Sequence, residues 1–230
     1  MERIALLADI HGNSTALKAV LKDCRQNHIQ KFILLGDLFT KGPDPAGVFR
    51  QLQRLPTLAA VAGNTDDWLL AAGGLTARQA ALTAFTRKEL PEPALTYLAS
   101  LRRSLLLERE GFRIFLSHYP QLPPFSESPD LLICGHTHIP SLFTWENTLS
   151  CNPGSIGAPY DGDPRSSYGI LTLSAQPGFE IRRISYDTLE ELRLAQQKAI
   201  PFFSLYEPSI QYGIRSNTPP QATFIKPEAP

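Results

Sequence analysis

Residues 3–65 repeat one pattern, a short unbroken apolar run followed by apolar positions three and four apart. Residues 3–8 predict a strand, and 13–26 predict a helix whose buried face carries Leu17, Val20, Leu21 and Cys24. A second strand is expected at 32–35. After it Asp44 stands as an N-cap with Pro45 at the first helical position, and Val48, Phe49, Leu52 and Leu55 form the buried stripe. Residues 57–62 complete the series as a third strand. Strands that alternate with helices and are apolar almost throughout imply a sheet covered on both faces.

The pattern turns helical between Asp66 and Leu107. The Gly73-Gly74 pair breaks it, and Pro91 and Pro93 separate 76–90 from 94–101, which predicts a small helical cap over residues 67–107. From Phe112 the chain reads as strands at 112–117, 131–134, 141–145, 148–151, 168–174 and 179–186, expected to form a β meander. Asp187 and Glu190 give a capping-box-like start to a helix ending near Lys198. The proline-rich stretch 201–230 shows little periodicity and is expected to be a docked arm or a disordered end. The organisation expected is therefore one domain over 1–187 carrying the 67–107 cap, followed by a C-terminal helix and tail over 188–230.

Composition narrows the functional classes. The chain has 230 residues, 43% hydrophobic and 19% charged, which suits a globular domain of enzyme size. Lys plus Arg equals Asp plus Glu at 22 each, so no global basic field exists to hold extended nucleic acid, and any such binding must rest on a local site. No apolar run approaches the roughly 20 residues of a membrane span. The apolar stretch 4–8 runs straight into Asp9 and His11, unlike a signal peptide, so a cytoplasmic location is expected. Cys24, Cys134 and Cys151 show no CxxC spacing, which argues against a disulfide framework and a thiolate zinc site and leaves them as small buried residues.

The chemistry gathers at strand ends. Asp9 and His11, Asp37, Asn64, His118, and His136 and His138 all fall where an apolar strand gives way to a Gly-, Asp- or Ser-containing loop. Such loops converge on one crevice in an α/β sheet. Seven nitrogen or oxygen donors exceed one tetrahedral ion, and imidazole, carboxylate and amide without thiolate suit first-row divalent ions: manganese foremost, with nickel, iron, cobalt or zinc as alternatives. If Asp37 bridges, Asp9, His11 and His138 complete one ion, and Asn64, His118 and His136 the other. Two ions in that arrangement suit in-line displacement at phosphorus. Capping by Asp9 or Asp37, and a left-handed turn at Asn64, are the plainer alternatives for single residues.

The ordered set Asp9-Ile10-His11, Gly36-Asp37, Gly63-Asn64, Ser117-His118 and Gly135-His136-Thr137-His138 resembles the calcineurin-like metallophosphoesterase superfamily, in its small bacterial and archaeal phosphodiesterase branch. The stretches Lys41-Gly42-Pro43-Asp44-Pro45, 152–157 and 161–165 are similar to that branch in particular. The resemblance implies an α/β/β/α sandwich of two mixed sheets flanked by helices, the same ligand division, and a metal-bridging hydroxide as nucleophile, with Asp37, Asn64, Asp66 and His136 as catalytic residues. One position departs from the broad superfamily pattern, which places a His after the metal-binding Asn: here Thr65 stands there, and the small phosphodiesterase branch often lacks this His too. Threonine supplies no proton at neutral pH, so diesters or anhydrides with good leaving groups are expected over alkyl monoesters.

Further residues carry paired readings. Asp66 either serves the reaction or caps the helix before Trp68. Asn13 either contacts phosphate or begins the first helix. Arg165 either meets substrate phosphate or pairs with Asp161 or Asp163. The expected substrate is small, phosphorylated and nucleotide-like, with a dinucleoside polyphosphate or a phosphoprotein as rivals. A scaffold that has lost activity is the non-enzymatic alternative, and a homo-oligomer is compatible with the apolar tail residues Phe202, Phe203, Leu205 and Tyr206.

Overall fold

The structure is a computed structural model that describes residues 1–121, 128–145 and 147–216. Along the chain run β1 (Glu2–Leu7), α1 (Ser14–Gln26), β2 (Lys31–Leu34), α2 (Pro45–Leu52), β3 (Thr57–Ala60), α3 (Asn64–Leu70), α4 (Ala77–Glu89) and α5 (Glu92–Ser100). They are followed by β4 (Ser104–Arg109), β5 (Phe112–Ser117), β6 (Leu131–Ile133), β7 (Ser141–Trp145), β8 (Thr148–Asn152), β9 (Ser166–Leu173), β10 (Gly178–Ile184), α6 (Thr188–Gln197) and α7 (Phe203–Tyr212). The strands form two mixed five-stranded sheets, β10-β9-β1-β2-β3 and β4-β5-β6-β8-β7, which is the expected α/β architecture.

Alternation along β1 shows how the layers are held. Ile4, Leu6 and Ala8 point between the sheets and meet Ile114, Leu116, Leu131 and Ile133 of the second sheet. Ala5 and Leu7 point the other way, onto Leu17, Val20 and Cys24 of α1 and Val48 and Phe49 of α2. A strand buried on both faces reads as a continuous apolar run, as the sequence pattern shows. Across the sheets, Arg109 donates to both carboxylate oxygens of Glu2 at 2.8 and 2.9 Å. That two-pronged contact, with Lys31 beside it, holds the Glu2 carboxyl down to about 2.

The second half departs from the expected meander. β5, β6 and β8 are mutually parallel, while β9 returns to the first sheet antiparallel to β1 and β10 pairs antiparallel with β9. The three residues of β6 are all buried, the mark of a central strand, and a parallel neighbour needs a crossover where a hairpin would give a meander. Two elements also differ from expectation. Residues 104–109 are strand β4, though the helical reading ran to Leu107. Leu105 and Leu107 face the inter-sheet core while Leu106 stays partly exposed, and so short an apolar run does not distinguish strand from helix. Residues 203–212, read as part of an aperiodic tail, form α7 with Pro208 inside it. α6 and α7 pair through Leu192, Ala195, Tyr206 and Ile210, with Phe85 of α4 against them. The remainder of the tail, 217–230, and residues 122–127 of the loop expected to shape specificity lie outside the described residues. All three cysteines are free and buried, and burial pushes the thiols up, Cys24 to about 11 and Cys134 and Cys151 to about 12.

Candidate metal centre

The donor residues sit on a strained backbone. Asp9, His11, Asp37, His136 and His138 have φ of 51°, 51°, 55°, 70° and 61°, which makes five of the ten non-glycine residues with positive φ among the described residues. The left-handed region costs a side-chain-bearing residue about 1–3 kcal/mol, so such a cluster persists only where its surroundings dictate it. Here the loops fasten one another. Asp9 N–H donates to the Gly36 carbonyl at 3.1 Å, His11 N–H to Asp37 at 2.9 Å, and Gly157 N–H to Asp9 at 3.0 Å. Gly63 has to be glycine for this approach, because a Cβ there would stand 2.2 Å from Asp37 Oδ1.

The side chains fall into two groups with Asp37 between them. In the first, one atom each from Asp9, His11, Asp37 and His138 lies within 4.8 Å of the others, and all four residues are buried. His11 Nε2 lies 3.1 Å from His138 Nε2 and 3.5 Å from Asp37 Oδ2. In the second, Asn64 Oδ1 lies 3.2 Å from His118 Nε2 and 3.0 Å from His136 Nδ1. Asp37 Oδ1 is 3.5 Å from His118 Nε2, so the two oxygens of this carboxylate face different groups.

Hydrogen bonds behind the rings assign their tautomers. His11 Nδ1 meets the Thr40 carbonyl at 2.9 Å, His118 Nδ1 meets Leu35 at 2.8 Å, and His138 Nδ1 meets Ala158. A carbonyl accepts only, so each Nδ1 carries the proton and each Nε2 lone pair faces the cluster. Asp9 Oδ1, 3.3 Å from His138 Nε2, is buried and makes no hydrogen bond. Lone pairs therefore point at one another in a buried space, an arrangement that a divalent cation relieves and that hydrogen bonding within the cluster does not. The donor set fits hard or borderline divalent ions. Burial lowers the His11 pKa well below its ordinary value, with Lys41 and His138 adding to the effect, and burial also lowers that of His136. Both shifts favour the neutral, ligating form. Burial opposes charge on Asp9 and on His118, but His138 and His118 outweigh it at Asp9, and Asp37 and Asp9 outweigh it at His118.

Three residues singled out from sequence stand elsewhere. Asp66 lies behind the site. Its carboxylate accepts backbone N–H bonds from Asp37 at 2.8 Å, Gly63 at 2.9 Å and Leu38 at 3.0 Å, and burial with the neighbouring Asp37 pushes it up to about 7. Asn13 is the buried N-cap of α1, accepting from Ala16 N–H at 2.8 Å and donating to the Gly157 carbonyl at 3.3 Å. Arg165 pairs with Asp163 at 2.6 Å on an exposed loop. Thr65 is buried, and its N–H donates to Asp37 Oδ1 at 2.9 Å.

The cations that do reach the site escaped the sequence reading. Lys41 Nζ lies 3.0 Å from His11 Nε2, and Arg78 and Arg215 line the same 540 Å³ cavity as Asp37, Asn64, His136 and His138. The Tyr160 ring stacks flat on His138 at 4.2 Å. Lys41 left one trace, its place in the loop that also carries Gly42 and Pro43. Arg78 and Arg215 belong to α4 and the turn after α7, and no local signal ties them to the strand ends.

Comparison with known proteins agrees with this geometry. Residues 2–176 match the calcineurin-like phosphoesterase superfamily domain. The chain is 30% identical over 215 residues to protein MJ0912 of Methanocaldococcus jannaschii, covering 80% of this chain and 88% of that one. It is 29% identical over 185 residues to the Escherichia coli phosphodiesterase YfcE, covering 74% and 88%. A metallophosphoesterase structure from Sphaerobacter thermophilus superposes with a TM-score of 0.75 at 25% identity, covering 93% of this chain and 99% of that one. The Pyrococcus horikoshii protein PH1004 shares the fold with a TM-score of 0.78 at 17% identity, covering 95% and 100%. With its five ordered motifs, two mixed sheets and buried donor cluster, the chain belongs to the calcineurin-like phosphoesterase superfamily.

Proposed function

We propose that this protein hydrolyses a phosphodiester or phosphoanhydride in a small molecule with the aid of two divalent ions. Asp9, His11 and His138 hold one, Asn64, His118 and His136 hold the other, and Asp37 is shared. The observation that carries this reading is Asp9 Oδ1, buried without a hydrogen bond and facing the His138 lone pair at 3.3 Å. Membership of a phosphoesterase family, and the phosphodiesterase YfcE among the relatives, support the reaction class.

Divalent ions bound there supply an acidified water and positive charge for the phosphate oxygens. The chain supplies position. Carbonyls behind His11, His118 and His138 fix the tautomers, and Asp66 and the Thr65 N–H fix Asp37. Thr65 offers the departing oxygen no proton, so the leaving group must be stable as an anion, which favours diesters of acidic alcohols and anhydrides.

The test is hydrolysis by metal-stripped protein with manganese, nickel, zinc or magnesium restored, using a bis-nitrophenyl diester, glycerol phosphate and a dinucleoside polyphosphate. Metal-dependent turnover is expected on the first and last, falling by about 10²-fold or more in His136→Ala as one ion is lost. Protein that binds no metal, or that turns over glycerol phosphate fastest, would overturn the reading.

A further inference from the structure

The donor cluster is the floor of a cavity whose opposite wall belongs to other elements. Arg78 stands in the first turn of α4, and Arg215 follows the Gly213 cap of α7. The Arg78 guanidinium lies over the Phe202 ring at 5.7 Å, a contact that orients the group while leaving its N–H edges open. Neither arginine pairs with a carboxylate among the described residues, whereas Arg165, Arg182 and Arg183 each do. Two guanidinium groups without carboxylate partners, facing a 540 Å³ cavity with a metal-ligating floor, make a wall suited to an anion. Sites for small organic ligands run from about 300 to 1,000 Å³, so this one exceeds the need of a single phosphate.

We propose that Arg78 and Arg215 form a second anion subsite, and that the preferred substrate is a phosphoanhydride carrying at least two phosphates, one over the donor cluster and the next against these arginines. This rests on the phosphoesterase reading above. In the reaction a water oxygen bonds to the phosphorus over the donor cluster and the P–O bond to the bridging oxygen breaks. The electron pair leaves with the phosphate held by Arg78 and Arg215, and the proton of the water goes to solvent. A phosphate leaves as a stable anion. Charge neutralisation at the leaving group thus takes the place of protonation, which Thr65 does not supply.

The test uses the full chain as purified, with inorganic pyrophosphate and orthophosphate as titrants in calorimetry. Wild-type protein should bind pyrophosphate about tenfold or more tightly than orthophosphate, and Arg78→Gln/Arg215→Gln should abolish that preference while orthophosphate affinity stays within about twofold. Arg215→Gln alone, which leaves the Arg78–Phe202 contact intact, should keep the wild-type melting temperature and lose part of the preference. In kinetics the double variant should lower kcat for a dinucleoside polyphosphate about tenfold or more and raise its KM, and should lower kcat for the bis-nitrophenyl diester far less. Pyrophosphate affinity unaltered in the double variant, or both anions weakened together, would overturn the subsite. Absence of all hydrolysis by metal-loaded protein, with the arginine-dependent pyrophosphate preference intact, would count against the phosphoesterase reading alone.

Discussion

Asp66 holds Asp37 from behind: its Oδ2 takes the Asp37 backbone N–H at 2.8 Å, and its Oδ1 takes that of Leu38 at 3.0 Å. Every contact of this carboxylate is with backbone, so it positions the shared ligand. Asp66→Ala leaves three buried N–H groups without acceptors, an expected loss of about 2–4 kcal/mol in stability. Metal stoichiometry should fall with it, because Asp66 is one anchor of the left-handed backbone at Asp37, beside the bonds from His11 N–H and Thr65 N–H. The shape of the pH–rate profile with residual metal should stay as in wild type. A profile that loses one limb would make Asp66 a proton carrier.

Gly63→Ala probes the same junction from the other side. The added methyl would stand 2.2 Å from Asp37 Oδ1 and 2.4 Å from Asp37 N, both fixed by other bonds. Overpacking of this kind costs about 1–3 kcal/mol, and the displaced atom here belongs to the proposed shared ligand. We expect a lower melting temperature together with loss of metal on dialysis. Gly73→Ala, where the added methyl has nothing within 4 Å and the backbone is not left-handed, serves as the control and should keep its metal.

Legibility followed the range of the interaction. The seven candidate ligands were readable because each follows an apolar strand, and the parallel strands β1–β3 of one sheet and β5 and β6 of the other end at the same edge of the sandwich. Asp66 carried two readings that its position two residues after Asn64 does not separate, and its bond from the Gly63 N–H closes the capping box of α3. Of the two readings of Arg165, the structure shows the pairing with Asp163, a carboxylate two residues away on the same loop. Arg78 and Arg215 reach the cavity only through the placing of α4 and α7, and α7 was hidden by Pro201 and Pro208. Pro208 sits within that helix because the segment is held by burial of Tyr206, Ser209 and Ile210 more than by its backbone ladder.

Metal removal should loosen the site more than the fold. The core between the sheets, built around Leu6, Ile33, Leu116 and Ile133, contains no donor. The loops carrying Asp9, His11, His136 and His138, in contrast, hold left-handed backbone around the proposed ligands. Chelation is therefore expected to raise amide hydrogen exchange at 9–12 and 135–138 while leaving β1 and β5 protected. Equal deprotection of the central strands would show that the ions stabilise the whole fold.

Glu191 gives a pH dependence separate from the metal centre. It lies in α6, wholly buried, accepting a hydrogen bond from the Tyr206 hydroxyl of α7 at 2.7 Å, while its other oxygen has no partner. Burial raises its carboxyl from the ordinary value to about 7, with Asp44 and Glu190 adding repulsion and the Tyr206 bond opposing the rise. A carboxyl raised on folding binds its proton more tightly in the native state, so its contribution to stability is complete below pH 4.5 and is lost as pH rises through about 7. The full loss is bounded at about 3 kcal/mol. Glu191→Gln keeps an acceptor for Tyr206 and carries no charge, so it should flatten the decline. We expect the variant to melt above wild type at pH 8 and level with or below it at pH 5. A constant offset across that range would mean that Glu191 is ionised, or neutral, in both folded and unfolded protein, and that the α6–α7 pair is held by its apolar contacts alone.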